Sequence, residues 1–264
     1  MLSDIESVCA GNTLANHDKS RLEMEPNQAS GGVCVRRVYE PCTYYSRFRA
    51  LSESERLLRC VEQLLGSNLL FHYSKINMKP AAIGSVVEWH QDLAYYPLTN
   101  HDSVSILLYL DDATFSNGCL QVLPGCHRGP LMNHTRDGFF QGRITGPVDT
   151  SGAAYLEGKA GSAIFMHCMT PHASTTNTSS LPRRTLILSY RAADAFPIYV
   201  GQVRVEAEAH VRLVRGQRLN VARFSVTEFP IPKQQHKTAS LYELQELSRQ
   251  QASSEIGRSW DPAE

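Results

Sequence analysis

The chain has no long hydrophobic run and no excess charge of either sign. None of its apolar stretches approaches the roughly 20 residues of a membrane-spanning helix, and its first residues lack the basic and apolar regions of a signal peptide. Lysine plus arginine and aspartate plus glutamate each number 26, so no global field attracts nucleic acid or an anionic membrane. We therefore expect a cytoplasmic protein whose partner is a small molecule, with no nucleic-acid or membrane partner.

The cysteine pattern offers neither a disulfide framework nor a structural zinc site. The seven cysteines are odd in number, and no two of them form a Cys-x-x-Cys pair. We expect reduced thiols in a monomer or a homodimer.

The length of 264 residues fits one domain, because single β-barrels and sandwiches routinely reach this size. We expect a single domain over residues 1–264, with its core at about 33–230. Residues 240–247 predict a last short helix, and the polar stretch 248–264 predicts a flexible tail.

One amphipathic helix is predicted before the β-rich part of the chain. Leucine and valine recur at helical spacing between positions 57 and 65. Ser52 and Glu55 have the spacing of a capping box at the start, and Gly66 is typical of a helix end.

After this helix the pattern changes to short β-rich runs separated by turn residues. The runs are 85–92, 104–110, 119–123, 162–167 and 185–190. Asn117-Gly118 predicts a hairpin turn with positive φ, and the irregular segment 128–158 predicts an insertion or lid. The pattern indicates a mainly β (α+β) protein, a double-sheet jelly roll with flanking N-terminal helices packed outside it.

The chemistry is indicated by a histidine and a carboxylate two residues apart. His90 and Asp92 end one β-rich run, and side chains at this spacing in a strand project to the same face. His172, 82 residues later, follows another run and would complete a two-histidine, one-carboxylate facial triad. Such a triad leaves open positions on the metal and is typical of non-heme iron oxygenases. His167 is an alternative third ligand, because it ends the β-rich run that His172 follows.

Three motifs occur together in the order found in one family. They are Trp89–Pro97, Asn117–Gly129, and His172–Asn177 followed by Arg183. In these motifs, and over about residues 33–192, the chain resembles the phytanoyl-CoA dioxygenase family. The resemblance implies that the jelly roll is a double-stranded β-helix (jelly roll, cupin-like) core with flanking N-terminal helices. The resemblance implies Fe(II) as the metal, 2-oxoglutarate and O2 as cosubstrates, and ascorbate as a candidate reductant.

The resemblance also assigns roles to individual residues. The implied iron ligands are His90, Asp92 and His172. Arg183 would bind the distal carboxylate of 2-oxoglutarate and Ser174 would assist, while Lys75 occupies a position that contacts the cosubstrate in some relatives.

Arginine suits the anchor role because its planar guanidinium donates two parallel hydrogen bonds to a carboxylate. Arg184 is the alternative to Arg183. Adjacent strand residues point to opposite faces of a sheet, so only one of the two can reach the site.

The nature of the triad carboxylate indicates the reaction type within the family. Halogenating relatives carry glycine or alanine at this position, whereas this chain carries Asp92. We therefore expect hydroxylation of a small-molecule C–H bond, with release of succinate and CO2. A cupin-like metalloenzyme without 2-oxoglutarate and a catalytically silent relative remain as alternatives.

Three other polar or aromatic residues near the motifs carry weaker expectations. Tyr95 and Tyr96 fit a substrate-cavity wall and the core equally well. His127 is interpreted as a turn histidine.

Overall fold

The computed structural model of the chain describes residues 1–198, 208–225, 227–233 and 240–258, with side chains to residue 251. Its α-helices are α1 (Leu2–Cys9), α2 (Pro41–Tyr44), α3 (Ser46–Ser52), α4 (Glu55–Leu65) and α5 (Leu241–Arg258). None of the helices in these ranges is long and apolar enough to cross a membrane.

Thirteen strands, numbered in chain order, lie in the described ranges. The larger sheet contains β1 (Leu22–Met24), β2 (Val35–Tyr39), β3 (Leu69–Lys79), β5 (Ser103–Tyr109), β10 (Ala163–His167), β12 (Arg183–Ala192) and β13 (Arg212–Arg215). The smaller sheet contains β4 (Val87–His90), β6 (Leu120–Val122), β9 (Ala154–Leu156) and β11 (His172–Ser174). A separate hairpin consists of β7 (Thr135–Arg136) and β8 (Phe139–Phe140).

The two main sheets form the predicted jelly roll. The larger sheet has the order β1-β2-β3-β12-β5-β10, with β13 paired to β3, and the smaller has the order β4-β11-β6-β9. Every pair of named strands in them is antiparallel. The prediction of a mainly β protein with a double-stranded β-helix core is confirmed.

Alternation along β12 separates the hydrophobic core from the cavity between the sheets. Leu186 and Leu188 belong to a core cluster that includes Ile5 of α1, Phe48 of α3 and Val61 of α4. Thr185 and Ile187, which alternate with these leucines along the strand, line the cavity instead. The N-terminal helices therefore cover the outer face of the larger sheet, and the inner face is left for chemistry.

The structure corrects the predicted start of the amphipathic helix. Ser52 ends α3, and its hydroxyl donates to the Arg49 carbonyl at 2.8 Å, so it caps no later helix. Helix α4 begins at Glu55 after Ser54, whose side chain makes no capping hydrogen bond. The predicted end is confirmed, because Gly66 has φ 89° and its amide donates to the Glu62 carbonyl.

Each of the five predicted β-rich runs contains a strand, but the bounds differ. The run 85–92 ends as a strand at His90, and Asp92 begins a 3-10 turn. Strand β3, one of the longest, was missed because its cavity-facing positions are polar and hide the apolar alternation that predicts a strand.

Three other expectations need correction. Gly118 has the predicted positive φ of 74°, but its turn joins β5 and β6, which belong to different sheets, so it closes no hairpin. The segment 128–158 contains β7, β8 and β9 rather than being wholly irregular. The C-terminal helix extends to Arg258, beyond the predicted end at 247. The last residues of the predicted tail, 259–264, lie outside the described ranges.

Glu40, between β2 and α2, generates a prediction about pH and stability. Burial raises the pKa of Glu40 to about 7 from a usual value of 4.5, while Oε2 accepts hydrogen bonds from Ser74. A raised carboxyl pKa means that its stabilising contribution is complete below about pH 4.5 and is lost as the pH rises through about 7. Glu40→Gln keeps an oxygen acceptor and cannot ionise. We expect this variant to gain melting temperature relative to wild type at pH 8 but not at pH 4.5, and an equal shift at both pH values would contradict the prediction.

Candidate active site

Three ligand-type side chains meet between the sheets at the edge of β4 and β11. His90 and His172 are register partners on these adjacent strands, and Asp92 follows β4 after the extended residue Gln91. Oδ1 of Asp92 lies 3.9 Å from Nε2 of His90 and 3.8 Å from Nε2 of His172. The three donor atoms lie within 4.8 Å of one another, and all three residues are buried. This group could hold one metal ion.

Backbone carbonyls determine which ring nitrogen of each histidine faces the group. Nδ1 of His90 lies 2.8 Å from the Glu88 carbonyl, and Nδ1 of His172 lies 3.0 Å from the Thr170 carbonyl. A carbonyl only accepts, so each Nδ1 carries the proton and each Nε2 offers its lone pair. Burial also lowers the pKa of both imidazoles, which favours the neutral form that binds metals.

The alternative ligand His167 lies elsewhere. It ends β10 in the larger sheet, opposite Val104, and its ring is 5.5 Å from the ring of His127. Its Nδ1 accepts a hydrogen bond from the Met169 amide. Of the two candidates, the structure brings His172 to the other two ligands.

The triad opens into a cavity enclosed by both sheets. The larger sheet contributes mostly polar side chains to its wall, and these are Lys75, Asn77, Lys79, Ser105, Arg183 and Thr185. Leu107, Met166 and Ile187 add an apolar part from the same sheet, while Ala173 and Ser174 come from β11. The cavity wall therefore offers polar partners to a ligand close to the triad.

Arg183 is a buried cation in the wall of this cavity. It is 5% exposed, and it donates to Thr185 Oγ1 at 2.8 Å and to the Gly118 carbonyl at 2.6 Å. Its Nε has no hydrogen-bond partner, and among the described residues it forms no ion pair. An uncompensated buried charge is costly, so this environment fits an anionic ligand.

Arg184, the alternative anchor, is already paired. Its guanidinium donates to both carboxylate oxygens of Asp111, at 2.8 and 2.7 Å. Arg184 is absent from the cavity wall, as expected for the neighbour of a cavity-facing strand residue.

The other residues predicted to contact the cosubstrate, Ser174 and Lys75, also line the cavity. Lys75 stands opposite Ile187, four residues along β3 from the Lys79–Arg183 pair. Burial lowers the pKa of Lys75 to about 8.

Sequence reasoning missed Lys79, although a signal was present. Lys79 is almost fully buried beside Arg183, and its ammonium donates to the carbonyls of Thr175 and Ser85. The spacing Lys75, Asn77, Lys79 is the period-two pattern of one strand face and would have indicated these positions once β3 was recognised.

Helix α5 contributes Tyr242, which no sequence pattern predicted. Its ring lines the cavity and stacks against the guanidinium groups of Arg36 and Arg37, at 4.5 and 4.8 Å from the ring centre. Gln245 holds the helix in place by donating to the Gly142 carbonyl at 2.6 Å and accepting from the Glu88 amide at 2.9 Å. The C-terminal helix thus covers one side of the cavity.

The tyrosines that follow Asp92 pack beside the site and are not part of the cavity wall. Tyr95 donates to the Gly142 carbonyl and lies edge-on to His90, whereas Tyr96 is hydrogen-bonded to Tyr73. His127 belongs to a 3-10 turn, as interpreted from the sequence.

Comparison with known proteins identifies one family and related enzymes. The family profile described as phytanoyl-CoA dioxygenase matches residues 1–185. The probable alpha-ketoglutarate-dependent hypophosphite dioxygenase of Stutzerimonas stutzeri is 33% identical over 205 residues, which cover 75% of this chain and 71% of that protein. The L-proline trans-4-hydroxylase of Streptomyces griseoviridis is 32% identical over 169 residues, which cover 54% of this chain and 62% of that protein.

A solved structure has a similar fold. It is EctD from S. alaskensis with 2-oxoglutarate and 5-hydroxyectoine, at 26% identity and a TM-score of 0.58. The match covers 74% of this chain and 69% of that chain.

The two candidate histidines can be separated by metal binding alone. We expect His172→Ala to weaken Fe(II) or Co(II) binding by more than about 100-fold, because even residues behind a ligand contribute about 10–100-fold. His167→Ala is the matched control and should keep the wild-type dissociation constant, measured by anaerobic calorimetry of the apoprotein. Loss of affinity only in His167→Ala would show that His167 is the ligand.

Proposed function

The chain belongs to the phytanoyl-CoA dioxygenase family, and we propose that it is an Fe(II)- and 2-oxoglutarate-dependent hydroxylase of a small, polar molecule. The substrates in the names of its relatives, hypophosphite and L-proline, are small and polar. The balanced charge of the chain, 26 basic against 26 acidic residues, favours such a substrate over the large anionic acyl-CoA.

In this proposal His90, Asp92 and His172 hold the iron. Two neutral imidazoles and one carboxylate are the donor set of non-heme Fe(II) oxygenases, so the residues present fit the metal. The bound iron supplies the O2-dependent oxidation in which a substrate C–H becomes C–OH and 2-oxoglutarate becomes succinate and CO2. Asp92 favours hydroxylation over halogenation, since halogenating relatives lack this carboxylate.

The assignment of 2-oxoglutarate as cosubstrate rests on Arg183. A buried guanidinium that shares the cavity with the triad, has an unpartnered Nε and forms no ion pair with any described residue is suited to the distal carboxylate of a dicarboxylic acid. Ser174 would add a hydroxyl donor to the same carboxylate, and Lys75 would contribute a second cation nearer the metal.

The remaining wall residues would orient the substrate and exclude water. Leu107 and Ile187 are cross-strand neighbours on the inner face of the larger sheet, beside the triad. Apolar side chains at these positions limit the entry of water, and a dry site strengthens each polar contact inside it.

The proposal also covers domain organisation, oligomeric state, cellular compartment and partners. We propose a single domain, monomeric or homodimeric, that acts in the cytoplasm without nucleic-acid or membrane partners. The balanced charge and the seven free cysteines are consistent with this setting.

The experiment is an anaerobic titration of the apoprotein with Fe(II) and then 2-oxoglutarate, followed by the visible charge-transfer band of the chelate. We expect the band in the wild type. Arg183→Ala should raise the dissociation constant for 2-oxoglutarate by about 10–100-fold, because a hydrogen bond to a charged group contributes about 1.5–3 kcal/mol. The dissociation constant of Arg183→Lys should lie between those of the wild type and Arg183→Ala, since lysine keeps the charge and loses the bidentate geometry.

Arg184→Ala is the matched control, because Arg184 is bound to Asp111 outside the cavity. Its dissociation constant for 2-oxoglutarate should equal that of the wild type. Wild-type affinity in Arg183→Ala would refute the anchor assignment. Iron binding without the band in the wild type would favour a cupin-like metalloenzyme, and absence of iron binding would favour a catalytically silent protein.

A further inference from the structure

A row of buried hydroxyl groups crosses the inner face of the larger sheet and ends at Asp92. Tyr73 of β3 stands opposite Ser189 of β12, which in turn stands opposite Ser105 of β5. The Ser105 and Ser189 oxygens are 2.6 Å apart, and Ser105 Oγ donates to Asp92 Oδ2 at 3.3 Å. The Tyr73 hydroxyl lies 2.6 Å from the hydroxyl of Tyr96.

The row is unusual for its place in the sheet. The neighbouring inner-face pair, Leu107 and Ile187, is apolar, whereas Ser105 and Ser189 are at most 3% exposed. Buried hydroxyl groups are costly unless they are hydrogen-bonded. These hydroxyls satisfy one another, and the row has its charged end at the triad.

The chemistry of the groups sets the direction of the hydrogen bonds. A carboxylate only accepts, so the single proton of Ser105 goes to Asp92. The proton between the two serines must then come from Ser189. Both serine donors therefore point towards the carboxylate.

The two oxygens of Asp92 have different surroundings. Oδ2 accepts from Ser105, while Oδ1 lies 3.9 and 3.8 Å from the Nε2 atoms of His90 and His172. A carboxylate that bound the metal through both oxygens would occupy a position that the open face of the triad requires. The hydrogen bond to Oδ2 opposes such rotation.

We propose that Ser105 is a positioning residue that presents Oδ1 of Asp92 alone to the metal, and that Ser189 holds the Ser105 hydroxyl in its donating orientation. The proposal rests on the proposed iron site. Residues behind a metal ligand typically contribute about 10–100-fold to metal affinity, which sets the expected size of the effect.

Ser103 offers a matched control on the same strand. It lies two residues before Ser105, is equally buried, and donates its hydroxyl to the Tyr190 carbonyl at 3.0 Å instead of to Asp92. Ser103→Ala and Ser105→Ala therefore each remove one buried hydroxyl from β5. Only the second removes a donor to the triad.

The test is the Co(II) or anaerobic Fe(II) dissociation constant of each folded variant, with the melting temperature as a check on folding. We expect Ser105→Ala to bind metal about 10–100-fold more weakly and to show an altered Co(II) absorption spectrum. Ser103→Ala should keep the wild-type constant and spectrum, although both variants lose melting temperature. Ser105→Thr, which restores a hydroxyl, should recover most of the affinity.

A variant of the supporting serine provides a second, independent measurement. Ser189→Ala leaves the Ser105 donor in place but removes its support, so its loss of metal affinity should be smaller than that of Ser105→Ala. Equal dissociation constants for Ser105→Ala and Ser103→Ala would overturn the proposal, as would a Ser105→Thr variant that folds but binds as weakly as Ser105→Ala. Failure of the wild type to bind metal would instead refute the proposed function.

Discussion

The register of β12 between β3 and β5 is the constraint on which the site depends. With this register, Arg183 and Ile187 face the cavity, while Leu186 and Leu188 pack with the N-terminal helices. A slip by one residue would send each inward side chain to the other face, burying a guanidinium in the helix-covered core. The apolar face of the strand therefore enforces the position of its polar face.

The smaller sheet supplies the complementary half of the site. Pairing of β4 with β11 sets His172 directly opposite His90, and the 3-10 turn after β4 brings Asp92 to both. Three ligand-type side chains carried by one sheet thus share a cavity with the buried guanidinium of Arg183 on the other. Buried charges of this kind are costly without partners, and a divalent cation with a chelating dicarboxylate would satisfy both halves together.

Local patterns and long-range contacts differ in how far the sequence reveals them. The His-x-Asp spacing, the choice of Arg183 over Arg184 and the jelly-roll class follow from strand periodicity and motif order, which neighbouring residues encode. The capping box at Ser52 failed because Ser52 is used by the preceding helix. Strand β3 was missed because polar residues such as Lys75 and Lys79, which line the cavity, interrupt the apolar alternation that predicts a strand.

The sequence by itself determined the chemical groups of the site and their family: two histidines, one aspartate and an arginine in a recognisable order. Only the tertiary structure decided that His172 rather than His167 joins the group, that Gly118 accepts from Arg183, and that a row of hydroxyls ends at Asp92. The physical reason is that periodicity specifies which face a side chain occupies. Its partners across the sheet depend on strand order and register, which arise from pairing between distant segments.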